Sequence, residues 1–251
     1  MQADEFGRWL SEAGLPVSEH MVGILAEYER LLVAEAKVQN LIGPGTLDDV
    51  WGKHFADSAL GMVALDNASV PRGTLGPGAR VVDIGSGAGL PGIPLKILWP
   101  DLQACLLEPR QKRAAFLHKV IDSLGLAGVE VLAQRAEDAA HLPGYRETFD
   151  LATVRAVSEL PVLVEYGLPF LRTGGRLICY KGPSVDAELP GAALVCSQLG
   201  GVLDSVHDYR LPQGAGRRTL VLFRKTGPTP TKFPRKAGIP EKRPLTAKTQ
   251  S

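Results

Sequence analysis

The segment Val81-Val-Asp-Ile-Gly-Ser-Gly-Ala-Gly-Leu90 carries the strongest structural signal in this chain, because an apolar strand runs through glycines into a helix. Glycine permits a tight turn and lets a ligand approach the main chain closely. Asp83 stands at the end of the strand, two residues before Gly85. A carboxylate in that place favours a positively charged ligand and would repel a pyrophosphate. The segment therefore predicts a binding site at a strand-to-helix turn.

The same glycines allow two other interpretations. Gly87, Gly89 and Gly92 satisfy the G-x-G-x-x-G pattern of dinucleotide-binding folds. In that interpretation the first glycine falls well past the strand, Asp83 opposes the pyrophosphate, and Pro91 lies inside the pattern. A glycine turn with only a structural role is the second alternative. Both compete with a site for a cationic cofactor.

The pattern around this turn predicts the fold class. From Arg80 to Leu199, short apolar runs alternate with helical stretches, which indicates βαβ units and a mainly parallel sheet. Strands predicted at Val202–Tyr209 and Thr219–Arg224 leave no room for a helix between them, so they should form an antiparallel hairpin. The predicted α/β fold, a seven-stranded sheet with a C-terminal antiparallel hairpin, resembles the Rossmann-like class I methyltransferases.

Three parts of the chain are predicted. Residues 1–72 form a small helical N-terminal region, because their apolar residues recur at helical spacing. Residues 73–225 form the Rossmann-like domain. Residues 226–251 carry five prolines and six basic residues, so we expect a basic, proline-rich C-terminal tail that is extended and lies outside the core.

Composition narrows the possible protein classes. No apolar run approaches the roughly 18–20 residues of a membrane span, and the N-terminus is acidic without a signal-peptide stretch. The three cysteines are scattered, without the spacing of a metal site. We therefore expect a reduced cytoplasmic protein, a monomer without a metal and without a membrane partner.

Charge is distributed unevenly along the chain. Residues 210–251 have a net charge of +10, whereas the first 209 residues have a net charge of −9. Such asymmetry is typical of a protein whose basic end meets a polyanionic partner. A solvated tail kept for solubility explains the same asymmetry, and charge alone does not distinguish the two.

Further candidate cofactor contacts follow the second and third predicted strands. Glu108 closes the second strand, where a carboxylate can accept both ribose hydroxyls of a nucleoside, although it is also suited to the start of a helix. Ala136 and Glu137 follow the third strand, where this fold brings a backbone N–H and a side chain to an adenine edge. The alternative for Glu137 is an ordinary first-turn glutamate.

The end of the fourth strand indicates the reaction type. Val154-Arg-Ala-Val-Ser158 lacks the Asn/Asp-Pro-Pro-aromatic motif of amino-methylating enzymes, and no cysteine nucleophile stands beside the cofactor loop. Guanine N7 needs no deprotonation, so positioning suffices for its methylation. Arg155 is the candidate catalytic residue and would hold O6, a phosphate or the cofactor, because a grip on N7 would block the reaction. The alternative is a surface arginine after a strand.

These residues together resemble the bacterial 16S ribosomal RNA guanine-N7 methyltransferases, the RsmG or glucose-inhibited division protein B family. The matching segments are Asn40-Leu-Ile42, His54-Phe-Ala-Asp-Ser58, Asp83–Leu95, Leu107–Leu117, Arg135-Ala-Glu137, Arg155-Ala156 and Phe233–Leu245. The resemblance implies S-adenosylmethionine as cofactor, with contacts at Gly85, Leu90, Ala136, Glu137 and Arg155. It also implies 16S ribosomal RNA, or a small-subunit assembly particle, as partner. The cofactor contacts predicted from the residues and from the resemblance together are Asp83, Gly85, Gly87, Leu90, Glu108, Ala136, Glu137 and Arg155.

The roles of His54 and Asp57 stay open. These residues either brace a helix against the sheet or close over the cofactor or the RNA. Arg235, Lys236, Lys242 and Arg243 are expected to contact RNA phosphates. The rival functions are methylation of another nucleic acid site or of a small molecule, and RNA binding by an inactive Rossmann-like fold.

Overall fold

The structure is a computed structural model of the chain and describes residues 1–15, 17–39, 41, 47–67, 75–155, 158–183 and 185–246. Several sequence-based predictions fall outside these residues. They are a turn that the segment Gly43-Pro-Gly45 predicts, the boundary between residues 72 and 73, Asn40 and Ile42 of one matching segment, and Ala156.

Seven strands form one mixed sheet in the order β3-β2-β1-β4-β5-β7-β6. Their bounds are β1 Arg80–Ile84, β2 Gln103–Leu107, β3 Val129–Leu132, β4 Phe149–Arg155, β5 Leu171–Lys181, β6 Gly201–Arg210 and β7 Arg217–Lys225. Strands β1 to β5 pair in parallel, and β7 pairs antiparallel with both β5 and β6. The predicted seven-stranded sheet with its terminal antiparallel hairpin is confirmed.

The helices cover both faces of the sheet. Their bounds are α1 Ala3–Glu12, α2 Glu19–Ala36, α3 Ala56–Asn67, α4 Gly92–Leu98, α5 Gln111–Leu124, α6 Ala136–Ala139, α7 Leu160–Gly167, α8 Leu189–Gln198 and α9 Ile239–Lys242. Within the described residues, none of these helices has the length and apolar character needed to cross a membrane. The same residues contain no group of three or more His, Cys, Asp or Glu arranged to hold a metal ion.

Two predicted helices have different bounds in the structure. The apolar stretch Leu160–Leu171 predicts one helix, but the helix ends at Gly167 and gives way to a 3₁₀ turn, because Pro169 has no N–H to continue the helical hydrogen bonds. The sequence also predicts one helical stretch over Leu47–Leu65, but the structure has a 3₁₀ turn, a π-helical turn over Trp51–Phe55, and then α3. The side chain of Asp49 accepts the N–H of Gly52 at 2.8 Å where the π-helical turn begins.

Alternation along the strands separates the core into two layers. In β2, Cys105 and Leu107 join the cluster on the α7 and α8 side, whereas Leu106 joins the cluster that contains the N-terminal helices. Phe6 of α1 and Tyr28 of α2 pack in that second cluster with residues of α4 and α5. The N-terminal helices therefore complete one layer of the domain.

The C-terminal segment, residues 226–246, packs onto the body of the protein, so the expectation that it lies outside the core is wrong. Phe233 and Leu245 are both buried within the cluster on the α7 and α8 side. The abundance of proline and basic residues hid these two apolar anchors, because composition averages over a segment while packing depends on individual side chains.

A buried ion pair fastens the C-terminal segment to α7. Glu165 is fully buried, and its carboxylate accepts the Arg235 backbone N–H at 2.9 Å, Nε at 2.8 Å and Nη2 at 2.6 Å. Arg146 donates from the body to the carbonyls of Thr229 and Phe233, at 2.8 and 2.9 Å. Charge-assisted hydrogen bonds of this kind are about twice as strong as neutral ones, so the segment is firmly held.

Replacement of Arg235 should destabilise the protein strongly. Arg235→Met leaves the buried Glu165 carboxylate without its counter-charge, and a loss of about 3–5 kcal/mol in the free energy of unfolding is expected. Urea denaturation followed by circular dichroism measures this change. Lys236→Met, at the exposed neighbouring position, is the matched control and should change stability by no more than about 0.5 kcal/mol. A loss below about 1 kcal/mol for Arg235→Met would contradict the bracing role.

Candidate active site

A cleft of about 520 Å³ opens at the carboxyl ends of the parallel strands. The glycine turn after β1 lines it, together with Arg155 at the end of β4 and Lys181 at the end of β5. His54 and Asp57, from the π-helical turn and α3, complete this part of the lining. Ligands of open α/β sheets bind at this edge, and the volume is typical of a small-molecule site.

The glycine turn has a conformation that side chains resist. Gly85, Gly87 and Gly89 all have positive φ, at 71°, 58° and 96°. At Gly89, a Cβ atom would also lie 2.5 Å from the Ile93 side chain, so a larger residue would displace the start of α4. The backbone of this turn therefore reaches the cleft without side chains in the way.

Tyr28 supports the turn from the N-terminal helices. Its side chain is fully buried, and its hydroxyl donates to the carbonyl of Ala88 at 2.7 Å. Burial raises the pKa of this phenol well above its ordinary value, so the hydroxyl keeps its proton and remains a donor. Helical spacing placed Tyr28 on the apolar face of α2, but nothing in the sequence connects it with a turn 60 residues away.

Asp83 organises the turn from behind. Its side chain is only 1% exposed, and its carboxylate accepts from Thr153 Oγ1 at 2.9 Å and from the Gly92 N–H at 3.1 Å. Burial raises the pKa of this carboxyl group, and the hydrogen bonds oppose that shift. Asp83 thus joins β1, β4 and the first residue of α4. The side chain that the sequence predicted to bind a ligand therefore has a structural role.

Glu108 follows β2 and contacts the turn directly. One carboxylate oxygen accepts the Gly87 N–H at 2.9 Å, and the other accepts the Arg110 N–H at 2.8 Å. The side chain is 3% exposed. Glu108 therefore holds the glycine turn and the start of α5 in a fixed relation, which agrees with the helix-start interpretation, and its contact with a ribose stays a prediction.

Ala136 and Glu137 lie at the start of α6, next to the C-terminal segment. Ala136 is buried in the core cluster. The Glu137 carboxylate accepts the Gly238 N–H at 2.7 Å and the Tyr166 hydroxyl at 3.4 Å. The structure thus joins Glu137 to the C-terminal segment, a contact between residues 101 positions apart that the sequence did not indicate.

Arg155 lies within a polar network that spans four elements: the π-helical turn, α3, β4 and β6. Its Nη1 donates to Asp57 Oδ2 at 3.1 Å, and its Nη2 lies 3.3 Å from His54 Nδ1. Tyr209, from β6, donates its hydroxyl to the other oxygen of Asp57. Both carboxylate oxygens are therefore engaged, and Asp57 offsets the charge of Arg155 at the wall of the cleft. The two residues that the sequence left open, His54 and Asp57, prove to be the partners of Arg155.

His54 remains neutral in this network. Burial, and next the charges of Arg155, Lys53 and Arg218, lower its pKa to about 3, against a smaller opposing effect of Asp49. Its side chain is 9% exposed, and Nε2 has no hydrogen-bond partner among the described residues. One imidazole nitrogen is therefore committed to Arg155, while the other is buried beside the cleft without a partner.

Positive charge dominates the rest of the described lining. Besides Arg155, the cleft is lined by Lys53, Arg113, Lys181 and Arg218, and Asp57 is the one acidic residue among the described residues that line it. The sequence did not assign these four cations to a cleft, because surface and cleft cations look alike in a sequence. Of the predicted phosphate contacts, Lys236, Lys242 and Arg243 are exposed on the C-terminal segment, and Arg235 is bound to Glu165. The cleft suits ligands that carry negative charge.

The lowered pKa of His54 should make stability depend on pH. Between about pH 6.5 and pH 3 the unfolded chain binds a proton at His54 that the folded protein does not, so stability falls as pH falls. From pH 7 to pH 5 this residue should account for a loss of about 2 kcal/mol, which His54→Gln should not show. Urea denaturation at the two pH values measures it, and His20→Gln, at an exposed histidine, should behave as wild type. Equal pH dependence in His54→Gln and wild type would contradict the buried neutral imidazole.

Comparison with known proteins identifies the family. Residues 21–218 match the family model GidB, described as rRNA small subunit methyltransferase G. A relative from Carboxydothermus hydrogenoformans named ribosomal RNA small subunit methyltransferase G is 42% identical over 237 residues, which cover 94% of this chain and 97% of the relative. The protein of the same name from Symbiobacterium thermophilum is 46% identical over 198 residues, 77% of each chain.

Solved structures support the fold alone. A putative sarcosine dimethylglycine methyltransferase from Galdieria sulphuraria matches with a TM-score of 0.50 at 14% identity, over 67% of this chain and 84% of that one. The match agrees with the Rossmann-like class I methyltransferase fold predicted from the strand pattern. The family model and the extent of the sequence matches lead to one conclusion: the chain belongs to the rRNA small subunit methyltransferase G family.

Proposed function

We propose that this protein transfers a methyl group from S-adenosylmethionine to N7 of a specific guanine in 16S ribosomal RNA, as a cytoplasmic monomer. The observation that carries the choice of atom is the absence of a usable base among the described residues of the cleft. Asp57 is engaged through both oxygens, and His54 has a strongly lowered pKa. A nucleophile that reacts without losing a proton is therefore the one that this cleft can serve.

The cysteines support the same choice. Cys105, Cys179 and Cys196 are all buried, and burial raises the pKa of each thiol. A buried thiol with a raised pKa is a poor nucleophile, so covalent attack of the kind used in cytosine methylation has no candidate among them. Guanine N7 carries a free lone pair and needs neither a base nor a covalent intermediate.

The residues of the cleft fit S-adenosylmethionine. The backbone of Gly85, Gly87 and Leu90 lines a cleft of suitable volume, and at Gly87 a Cβ atom would meet nothing nearer than 3.7 Å. Glu108 adjoins the same turn through Gly87. When bound, this cofactor supplies an electrophilic methyl group on a sulfonium. The residues proposed to form the cofactor site also include Asp83, Ala136, Glu137 and Arg155. Asp83 and Glu137 act indirectly, because they hold neighbouring residues in place.

Arg155 is proposed as the catalytic residue, with a positioning role. Its guanidinium lies at the cleft, and its charge is balanced by Asp57 at 3.1 Å. A free cation there would repel the sulfonium of the cofactor and the positive charge that N7 gains on methylation. The ion pair removes most of that repulsion and leaves the planar N–H donors of Arg155 available to orient a ligand.

The RNA is proposed to meet the cleft cations and the exposed face of the C-terminal segment. Guanine N7 faces the major groove, which is too deep and narrow in A-form RNA for side chains, so the target should be unpaired or drawn out of its stack. Lys236, Lys242 and Arg243 are the proposed phosphate contacts. Arg235 holds the segment that carries these residues against the body of the protein through its ion pair with the buried Glu165.

Mass spectrometry tests the reaction. Small-subunit particles and free 16S RNA from cells that lack the gene are incubated with the purified protein and S-adenosylmethionine, and nuclease digests are examined for N7-methylguanosine. Its appearance in one of the two substrates is expected. Glu108→Ala should reduce the yield and weaken cofactor binding at least tenfold in calorimetry, because the turn loses its carboxylate support. Methylation at another atom, or RNA binding without methylation, would overturn the proposal.

The role of the exposed cations is tested through salt. The triple variant Lys236→Ala, Lys242→Ala and Arg243→Ala should bind RNA more weakly, with a log–log salt slope shallower by roughly 0.7 for each phosphate that is no longer neutralised. Filter binding at several salt concentrations measures both quantities. The control is Arg8→Ala with Lys119→Ala, which removes two exposed cations from the acidic first 209 residues. This double variant should retain the wild-type slope. A triple variant with the wild-type affinity and slope would show that the segment serves only solubility.

A further inference from the structure

The buried imidazole of His54 has one nitrogen with a structural partner and one without. Nδ1 lies 3.3 Å from Arg155 Nη2, while Nε2 has no hydrogen-bond partner among the described residues. The other buried side-chain nitrogens and oxygens of those residues are all hydrogen-bonded. A bracing role accounts for Nδ1 but leaves Nε2 unexplained, and native proteins rarely keep such an atom without a use.

The chemistry of the network settles what Nε2 can offer. A guanidinium has donors and no acceptor, so Nδ1 must accept from Arg155. Burial keeps the imidazole neutral, and a neutral imidazole carries a single N–H. That hydrogen is therefore on Nε2. The unpartnered atom is a hydrogen-bond donor, and the ligand that completes it must present an acceptor.

The position of His54 places this buried donor beside the cleft. His54 lines the same cleft as the glycine turn and Arg155. The edge of guanine that carries N7 presents two acceptors, N7 and O6, whereas adenine presents an acceptor and an amino donor there. N7 must keep its lone pair free to accept the methyl group. The acceptor left for a protein donor on that edge is O6.

We infer that the Nε2 N–H of His54 binds O6 of the target guanine and makes the site selective for guanine over adenine. This inference rests on the proposed function and adds the group that reads the base. The 6-amino group of adenine would place a donor against a donor, with both left unpaired in a buried site. Sites that hydrogen-bond a substrate group reject analogues without it far more strongly than apolar pockets do.

Arg155 and Asp57 position the imidazole in this arrangement. The Arg155 guanidinium fixes the tautomer through Nδ1, and Asp57 fixes Arg155. Tyr209 and Ser58 tie the same region to the sheet, since the Tyr209 hydroxyl donates to Asp57 and the Tyr180 hydroxyl donates to the Ser58 carbonyl at 3.0 Å. Changes to Asp57 should therefore alter rate without altering which base is preferred.

The test uses a base analogue that lacks only the proposed acceptor. Ribosomal RNA is prepared by splinted ligation so that the guanine methylated by the wild-type protein is replaced by 2-aminopurine, which keeps N7 and has no O6. The wild-type protein should methylate the guanine substrate at least ten times faster than the 2-aminopurine substrate at limiting RNA concentration. The same RNA with adenine at that position should react more slowly still.

Variants separate base selection from structure. In His54→Leu the guanine rate should fall to near the 2-aminopurine rate, so that the ratio of the two approaches one. His54→Gln, whose amide nitrogen can occupy the place of Nε2, should restore part of the ratio. Asp57→Asn should slow both substrates and keep the wild-type ratio. Affinity for S-adenosylmethionine, measured by calorimetry, should be the same in His54→Leu as in wild type.

Two results would overturn the inference. They are a wild-type ratio near one and a wild-type ratio retained in His54→Leu; a loss of cofactor affinity in that variant would in addition place the donor on the cofactor. Should His54→Leu fail to fold, the wild-type ratio and His54→Gln still decide the matter. The absence of any guanine methylation in the wild-type protein would instead refute the proposed function.

Discussion

The buried carboxylate of Asp83 is the interaction on which the rest of the site depends. It accepts from Thr153 in β4 and from the backbone of Gly92 in α4, so one side chain sets the relation of two strands and a helix. A buried charge without partners would be very unfavourable, so these contacts and the fold require each other. The glycine turn that lines the cleft is held between Asp83 behind it, Glu108 beside it and Tyr28 from the N-terminal helices.

Buried acids also organise the C-terminal segment. Glu165 and Glu137 both lie in the body of the protein, and both accept hydrogen bonds from residues of that segment. The charge of Arg235 therefore neutralises one buried carboxylate, that of Glu165, whereas Lys236, Lys242 and Arg243 are exposed. The segment is part of the folded domain, because Phe233 and Leu245 are buried in the apolar cluster on the α7 and α8 side. Glu137 joins the start of α6 to this segment by accepting the Gly238 N–H at 2.7 Å.

The lining of the cleft is mainly positively charged, and it includes the ion pair between Arg155 and Asp57. Lys53, Arg113, Lys181 and Arg218 line it, which suits the phosphates of RNA. Asp57 offsets the charge of Arg155 at 3.1 Å, and Glu188 that of Lys181 at 2.9 Å. The proposed reaction at N7 would leave a positive charge on the base, and a neutral ion pair tolerates this better than a free cation would. The neutral, buried His54 completes an arrangement that can hold a base without removing a proton.

Sequence alone determined the elements whose signals are local. The alternation of apolar runs and the glycine turn predicted the seven-stranded sheet and its hairpin, and residues such as Gly85, Gly87 and Leu90 were placed at the cleft. What only the tertiary structure decided are contacts between distant residues: Arg155 with His54 and Asp57, Glu165 with Arg235, and Tyr28 with Ala88. Periodicity reports which side of an element is apolar, because that depends on neighbours along the chain. Which buried polar groups meet depends on packing across the whole fold, and therefore the network around His54 became visible only in three dimensions.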